Sequence, residues 1–80
     1  MLVLNMDEGY ILSNKFRRVI FDGLASGETD LNMIAKKHHI VPSIAKKIMN
    51  EFITEGLIEK KGLKYVLTKE GQKLSEDING

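Results

Sequence analysis

In the middle of the chain, basic and uncharged polar side chains recur at helical spacing, and none of them is acidic. Around a turn of about 3.6 residues, the segment 42–55 brings a small set of them to one side, namely Ser43, Lys46, Lys47 and Asn50. Lysine, serine and asparagine side chains can contact the phosphates and the base edges of a nucleic acid. A short helix with this exposed side therefore suits the major groove of duplex DNA.

The opposite side of the same segment is apolar and predicts contact with a protein core. Its residues follow the i, i+3, i+4, i+7 spacing of one buried stripe, which comprises Ala45, Ile48, Met49 and Phe52. Pro42 suits the first helical position because its fixed φ fits a helix and its missing N–H is not needed there. Gly56 can adopt the left-handed conformation that ends a helix. These signals predict one amphipathic helix over 42–55.

Two other groups of ionisable side chains do not predict a catalytic or metal site. Adjacent His38 and His39 do not share a helix face, so they make a poor pair of metal ligands. The glutamates at 51, 55 and 59 form a row along one flank, without a basic or polar partner that would tune their pKa values. We expect that flank to be solvated. With no nucleophile–base pair and no glycine-rich phosphate loop, the sequence predicts a protein without enzymatic activity, cofactor or metal.

Length and composition indicate one small domain. The chain has 80 residues, of which 42% are apolar, and no cysteine for disulfides or cysteine-ligated metal. No apolar run approaches the roughly 18 residues that a membrane span needs, and residues 1–4 are too short for a signal-peptide core. We therefore expect a cytoplasmic protein without a membrane partner. Residues 1–12 are interpreted as a lead segment and residues 13–80 as the domain.

Charge is distributed unevenly along the chain although the formal net charge is +1. Residues 31–50 contain four lysines and no acid, and residues 51–59 contain three glutamates and no base. Residues 60–64 then contain three lysines. This asymmetry indicates a basic face set against an acidic one, which matters more for binding an anion than the total charge does. Ordinary solvation of lysines is the alternative interpretation.

The first predicted helix of the domain spans 14–25. Ser13 precedes it and can act as the N-cap. Its expected inner face comprises Phe16, Val19, Ile20, Gly23 and Leu24. Arg17 and Arg18 are expected on its solvated outer side, with contact to phosphate as the alternative. Upstream, residues 1–4 allow a short strand, a docking segment or a frayed end, and residues 10–12 are expected to pack onto the domain.

A second predicted helix spans 31–38 and follows Asp30, a favourable N-cap residue. We expect His38 on its inner face, together with Leu31, Ile34 and Ala35. His39 follows where a short turn needs a positive φ, which histidine adopts more often than most residues. The preceding link, residues 28–29, is a candidate for one very short strand.

Beyond residue 56, the apolar spacing changes from that of a helix to that of a strand. Two short strands over 57–61 and 63–68 are predicted around Gly62, whose tight turn makes them a hairpin. Thr68 can then cap a last helix over 69–78, with Leu74 and Ile78 as its apolar contacts.

Several motifs within this order of elements resemble a known family. They are Ile34-Ala35-Lys36-Lys37, Pro42-Ser43, Glu55-Gly56-Leu57-Ile58-Glu59-Lys60, Tyr65-Val66-Leu67-Thr68 and Lys69-Glu70-Gly71. The chain resembles the winged helix-turn-helix domains of small archaeal and bacterial transcription regulators of the multiple-antibiotic-resistance and arsenic-repressor type. The resemblance implies an α+β, mostly helical fold with a three-helix core, a short β-hairpin wing and a C-terminal helix.

The resemblance also implies a partner and a site. Segment 42–55 would read the major groove of double-stranded DNA, while the wing, 57–68, reaches the adjacent backbone. The base-facing side chains would be Ser43, Ile44, Lys46, Lys47 and Asn50, with Ile44 placed to touch a thymine methyl group. The backbone contacts would come from Lys36, Lys37, Lys60, Lys61 and Lys64. We therefore expect a small transcription regulator whose affinity for DNA falls steeply with salt.

A protein-interaction module is the alternative, because the same fold also serves as an interaction surface in transcription and replication complexes. It is favoured by the near-zero net charge, by the lack of arginine in 42–55 and by apolar Met33 and Ile44 near exposed edges. The sequence also leaves a homodimer open, because two half-sites double the DNA sequence that is read.

Overall fold

The computed structural model describes residues 8–79, with side chains through residue 78. The interpretations of residues 1–4 lie outside the described residues. The helices and strands follow in the order α1 Glu8–Leu12, α2 Lys15–Ala25, α3 Leu31–Lys37, α4 Pro42–Thr54, β1 Ile58–Lys61, β2 Lys64–Leu67 and α5 Lys69–Asn79. This mostly helical arrangement with one antiparallel hairpin confirms the expected fold class.

Helix α1 was not predicted, and it changes where α2 begins. The backbone N–H of Ser13 donates to the carbonyl of Gly9, and its hydroxyl donates to the carbonyl of Tyr10, so Ser13 completes α1. The N-cap of α2 is Asn14, whose side-chain oxygen accepts the backbone N–H groups of Phe16 and Arg17. The expectation that Ser13 caps this helix was therefore wrong by one residue.

Residues of α1 through α4 share one core with the root of the wing. Ile11 of α1 is fully buried there, while Leu12 is exposed, so the expected packing of residues 10–12 holds for part of that segment. Within this core the rings of Phe21 and Phe52 meet edge to face, with their centroids 5.8 Å apart. The division of the chain at residue 12 stays a prediction.

The buried arc of α2 differs from the expected one. Phe16 was expected to be buried but is exposed in the first turn, and Phe21 is fully buried although it was not expected on the inner face. The reason is that α2 packs against α1, α3, α4, α5 and the wing, so a single stripe does not describe its buried surface.

The turn between α3 and α4 contains one confirmed and one wrong expectation. His39 adopts a φ of 57°, as predicted. His38 was expected in the core but is exposed at the C-cap of α3. Because the helix ends at Lys37 and the chain turns at His39, the buried position falls to Ile40. Asp30 caps α3 as expected, accepting from the amides two and three residues on.

Helix α4 begins at Pro42 and is followed by Gly56 at a φ of 78°, close to the predicted bounds. In the wing, β1 and β2 pair antiparallel from Ile58 with Leu67 to Lys61 with Lys64. The link 28–29 is not a strand. Its contribution is one backbone hydrogen bond, from the Tyr65 N–H to the Thr29 carbonyl, because the link is too short for a ladder.

Helix α5 crosses the root of the wing at Gly71. A Cβ at this position would overlap with the carbonyl oxygen of Leu57, so the close approach requires glycine. Thr68 caps α5, as predicted, because its hydroxyl oxygen accepts the Gly71 N–H at 3.1 Å. Its backbone N–H also donates to the Leu57 carbonyl at 2.9 Å, so the root of the wing and the start of α5 are fixed together.

Candidate nucleic-acid interface

Helix α4 presents a polar side to solvent and its apolar stripe to the core. All five side chains predicted to face bases are exposed: Ser43, Ile44, Lys46, Lys47 and Asn50. The stripe opposite them is buried, comprising Ala45, Ile48, Met49 and Phe52. Apolar packing therefore fixes the rotation of α4 about its axis and leaves the polar side outward. Whether these side chains contact DNA stays a prediction.

An open groove runs between this polar side and the N-terminal helices. Its α4 wall contains four of the five predicted base-facing residues, namely Ser43, Lys46, Lys47 and Asn50. Its other wall contains Tyr10 of α1 and Arg17 of α2. Ile44 is exposed but does not line the groove. The two walls bring residues that are distant in sequence next to the same exposed surface.

The groove contains a linked set of three side chains that sequence reasoning missed. The Tyr10 hydroxyl donates to Glu51 Oε1 at 2.6 Å, across 41 residues of sequence. Arg17 Nε lies 3.7 Å from the same oxygen, and the Arg17 guanidinium carbon lies 3.8 Å from the centroid of the Tyr10 ring. We call Tyr10, Arg17 and Glu51 the α1–α4 clasp.

The clasp corrects two expectations. Arg17 was expected on the solvated outer side of its helix, yet its side chain is 24% exposed and faces α4. Glu51 was expected on a solvated flank without partners, yet it has a hydroxyl donor and a cation. Arg17 lies four residues before the buried Phe21 and so borders the buried face of α2. Because the burial of Phe21 was itself not predicted, the sequence did not point to Arg17.

The phenol of Tyr10 is perturbed by this environment. Partial burial, the hydrogen bond to Glu51 and the Glu51 charge together raise the pKa of Tyr10 to about 12, whereas Arg17 opposes that rise. The phenol therefore stays protonated at neutral pH and acts as a hydrogen-bond donor to the carboxylate.

On the other flank of α4, Lys46 also lines a smaller hollow together with the wing. That hollow includes Lys60, Leu63 and Tyr65. Lys60 Nζ lies 5.8 Å from the centroid of the Tyr65 ring, and Leu63 at the tip of the hairpin is 92% exposed. Lys46 therefore stands between the groove and the wing.

The lysines predicted to contact the DNA backbone fall into two groups. Lys60, Lys61 and Lys64 are exposed on the wing, where Lys61 forms an ion pair with Glu59 at 3.3 Å. Lys36 and Lys37 line a different hollow beside the loop 27–30, and Lys37 forms an ion pair with Glu28 at 3.3 Å. Exposed ion pairs of this kind contribute little to stability, so Lys37 and Lys61 can each exchange the glutamate for a phosphate.

Within residues 8–78, no group of three histidine, cysteine, aspartate or glutamate side chains is placed to hold a metal ion. The same part of the chain contains no helix long and apolar enough to span a bilayer.

Comparison with known proteins assigns the sequence to a family. Searches of curated proteins and of solved structures each found no match. The sequence model of the winged helix-turn-helix family matches residues 17–80. That range contains α3 and α4 as the helix-turn-helix and the β1–β2 hairpin as the wing. The chain therefore belongs to the winged helix-turn-helix family, whose domains are typically DNA-binding modules without enzymatic activity.

Proposed function

We propose that this chain is a small transcription regulator, of the multiple-antibiotic-resistance or arsenic-repressor type, that binds duplex DNA through the polar side of α4. The observation that carries the proposal is that Lys46, Lys47 and Asn50 have no internal partners among the described residues. All three are exposed, and within residues 8–78 none of their side chains has a hydrogen bond or ion pair. Their donors are therefore available to an external partner without loss of an internal contact.

The fixed orientation of α4 supports insertion into the major groove. A helix reads base edges only if its outward side chains are held at a constant rotation, and the buried stripe of α4 provides that constraint. Asn50 is suited to adenine, and Lys46 and Lys47 to guanine or to phosphate. Glu51, one of the acids that line the groove, is held by Tyr10 and Arg17, which limits its repulsion of phosphate.

The wing supplies the second contact in this proposal. Its lysines at 60, 61 and 64 are exposed at the end of the hairpin nearest Leu63. Lys46 of α4 lines one hollow together with Lys60 and Leu63, so that end of the wing lies beside α4. A duplex lying along α4 would bring its backbone to these ammonium groups, which position the protein without reading sequence.

The test is fluorescence anisotropy of a labelled generic duplex at about 50 mM and about 200 mM salt. The parent protein should bind and lose affinity by orders of magnitude across that range, because each lysine on a phosphate releases counterions. Replacing Lys46 and Lys47 by alanine should weaken binding by about tenfold or more at the lower salt, while the fold is retained.

A matched control removes the same charge from another face. Lys69→Ala with Lys73→Ala alters two exposed lysines of α5, which packs against α1, α2 and β2. This variant should bind nearly as the parent does. Equal losses in both variants would mean that the effect is one of net charge, and the assignment of α4 as the reading helix would be wrong. Absence of binding even at the lower salt would instead favour a protein-interaction module.

A further inference from the structure

We infer that Arg17 is a further DNA-contacting residue, whose guanidinium binds a backbone phosphate on the α1 side of α4. The inference rests on the proposed function, since it extends the same interface. Helix α4 contains no arginine, although arginine is the side chain best matched to phosphate geometry. The structure brings one to the edge of α4 from α2.

Arg17 lies beside the polar side of α4. It lines the groove whose other wall is formed by Ser43, Lys47 and Asn50. A phosphate strand that passes along those side chains would pass the Arg17 side chain, which is 24% exposed. By contrast, Arg18 does not line the groove, and its side chain is 57% exposed and paired with Asp22 on its own helix.

The guanidinium of Arg17 is oriented before any ligand arrives. It lies over the Tyr10 ring at 3.8 Å, so its plane is held by a flat apolar surface. A side chain ordered in this way loses less conformational entropy on binding than a free lysine does.

Arg17 also keeps N–H donors that its contacts with Tyr10 and Glu51 do not use. A guanidinium has five N–H donors. The hydrogen bond from its Nη1 to the Tyr10 carbonyl is long, at 3.4 Å. Its contact with Glu51 runs through Nε at 3.7 Å, beyond hydrogen-bond geometry, and is not the bidentate pair that saturates an arginine. Because Nε itself is buried, the donors that remain for a phosphate are those of the two Nη groups.

Glu51 must keep a hydrogen-bond partner when Arg17 turns toward a phosphate. The Tyr10 hydroxyl donates to the same carboxylate oxygen at 2.6 Å. That bond remains when the guanidinium moves away, so the carboxylate is not left without a partner. Glu51 therefore acts as a weak competitor for Arg17 in the free protein, and removing its charge should favour the contact with phosphate.

The experiment compares Arg17→Gln with Arg18→Gln, two neighbouring substitutions that remove the same charge. Anisotropy with a generic duplex is measured from about 50 mM to about 200 mM salt. Arg17→Gln should weaken binding by about tenfold at the lower salt and reduce the slope of log affinity against log salt by about 0.9, the value for one lost phosphate contact. Arg18→Gln should change affinity by less than about twofold, because its charge is exposed and screened.

A second variant separates phosphate contact from a role in holding α1 on α4. Glu51→Gln removes the ion pair but leaves Arg17 in the groove. If Arg17 contacts phosphate, this variant should bind DNA at least as tightly as the parent, with an unchanged or steeper salt slope. If the clasp were merely structural, Glu51→Gln and Arg17→Gln would weaken binding alike with no change in slope. If Arg17→Gln fails to fold, Glu51→Gln is compared with the parent alone, and weaker binding with an unchanged salt slope contradicts the phosphate contact.

Failure of this inference is distinguishable from failure of the proposed function. If the parent binds with steep salt dependence and Lys46→Ala with Lys47→Ala weakens it, while Arg17→Gln matches Arg18→Gln, then Arg17 is not a contact and the proposed function stands. If the parent does not bind duplex DNA at all, both are overturned.

Discussion

The two flanks of α4 hold their charged groups in different ways. On the side that faces α1 and α2, the partly buried side chains are Tyr10, Arg17 and Glu51, which contact one another. The hydrogen bond from the Tyr10 hydroxyl to Glu51 is 2.6 Å long. On the wing flank, Lys60 and Lys64 are exposed, and the tip residue between the strands is almost fully solvated. Linked groups have few alternative positions and therefore define geometry, whereas exposed lysines provide attraction that tolerates movement.

The root of the wing is nevertheless held in a fixed position. There the chain is fixed by backbone hydrogen bonds from Thr68 to Leu57 and from Tyr65 to Thr29, and by the close approach of α5 at Gly71. The side of α4 that faces α1 and α2 is thus positioned by side-chain contacts, and the side that faces the wing is positioned by backbone contacts. This contrast predicts which substitutions disturb the fold and which disturb only binding.

The largest effect is expected at the root of the wing. Gly71→Ala would place a Cβ against the carbonyl oxygen of Leu57, so α5 or the root of the wing must move. We expect the free energy of unfolding in urea to fall by about 3 kcal/mol. Gln72→Ala, at the next and exposed position of α5, is the control and should change it by less than about 0.5 kcal/mol. A stable Gly71→Ala protein would show that the backbone does not fix the wing.

A smaller effect, on binding alone, is expected at the end of the wing. Lys60→Ala with Lys64→Ala should leave the unfolding free energy nearly unchanged, because both side chains are exposed. The salt slope of DNA binding should fall by about 1.8, the sum for two phosphate contacts, and the preference among sequences should stay the same. A changed preference would mean that the wing lysines read bases and do not only attract the backbone.

The same substitution on both flanks sharpens the comparison further. Tyr10→Phe removes the hydroxyl that donates to Glu51 and should lower the free energy of unfolding by about 1 kcal/mol. Tyr65→Phe, on the wing flank, should lower it by less than about 0.5 kcal/mol. Chemical denaturation of both variants measures the difference. Equal effects would argue that the clasp contributes nothing specific.

The smallest effect is a shift in titration. In the Tyr65→Phe variant Tyr10 is the sole tyrosine, and its phenolate absorbance should rise with a midpoint near pH 12. Because the folded pKa lies above the ordinary value of about 10, the associated stability is present below pH 10 and is lost as the pH rises toward 12. Adding Glu51→Gln should lower the midpoint, since the carboxylate raises the pKa of Tyr10. An unshifted midpoint would place the phenol away from Glu51.

The features that the sequence predicts best are those set by local patterns. The apolar stripe of α4, its start at Pro42 and the glycine after it follow from spacing and from backbone preferences. The hairpin follows from the change of period and from Gly62, whose φ is 64°. The polar side of α4 is then fixed as the side opposite the stripe.

The features that the sequence did not predict depend on distant contacts. Tyr10 and Glu51 are 41 residues apart, and no periodicity along either segment shows that they meet. The exposure of His38 and the burial of Phe21 likewise depend on where the chain turns and on how many elements surround α2. Gly71 lies within a helix, where glycine is unfavourable, and the reason becomes visible only with the crossing at Leu57.

The central claim is that the polar side of α4 faces DNA, and amide NMR of the labelled protein during titration with a generic duplex tests it most directly. We expect the largest chemical-shift changes at Ser43, Lys46, Lys47 and Asn50, with smaller changes at the wing lysines and little change along α5. Changes concentrated on α5, or around Met33 beside the loop 27–30, would contradict the claim and place the DNA surface elsewhere on the molecule.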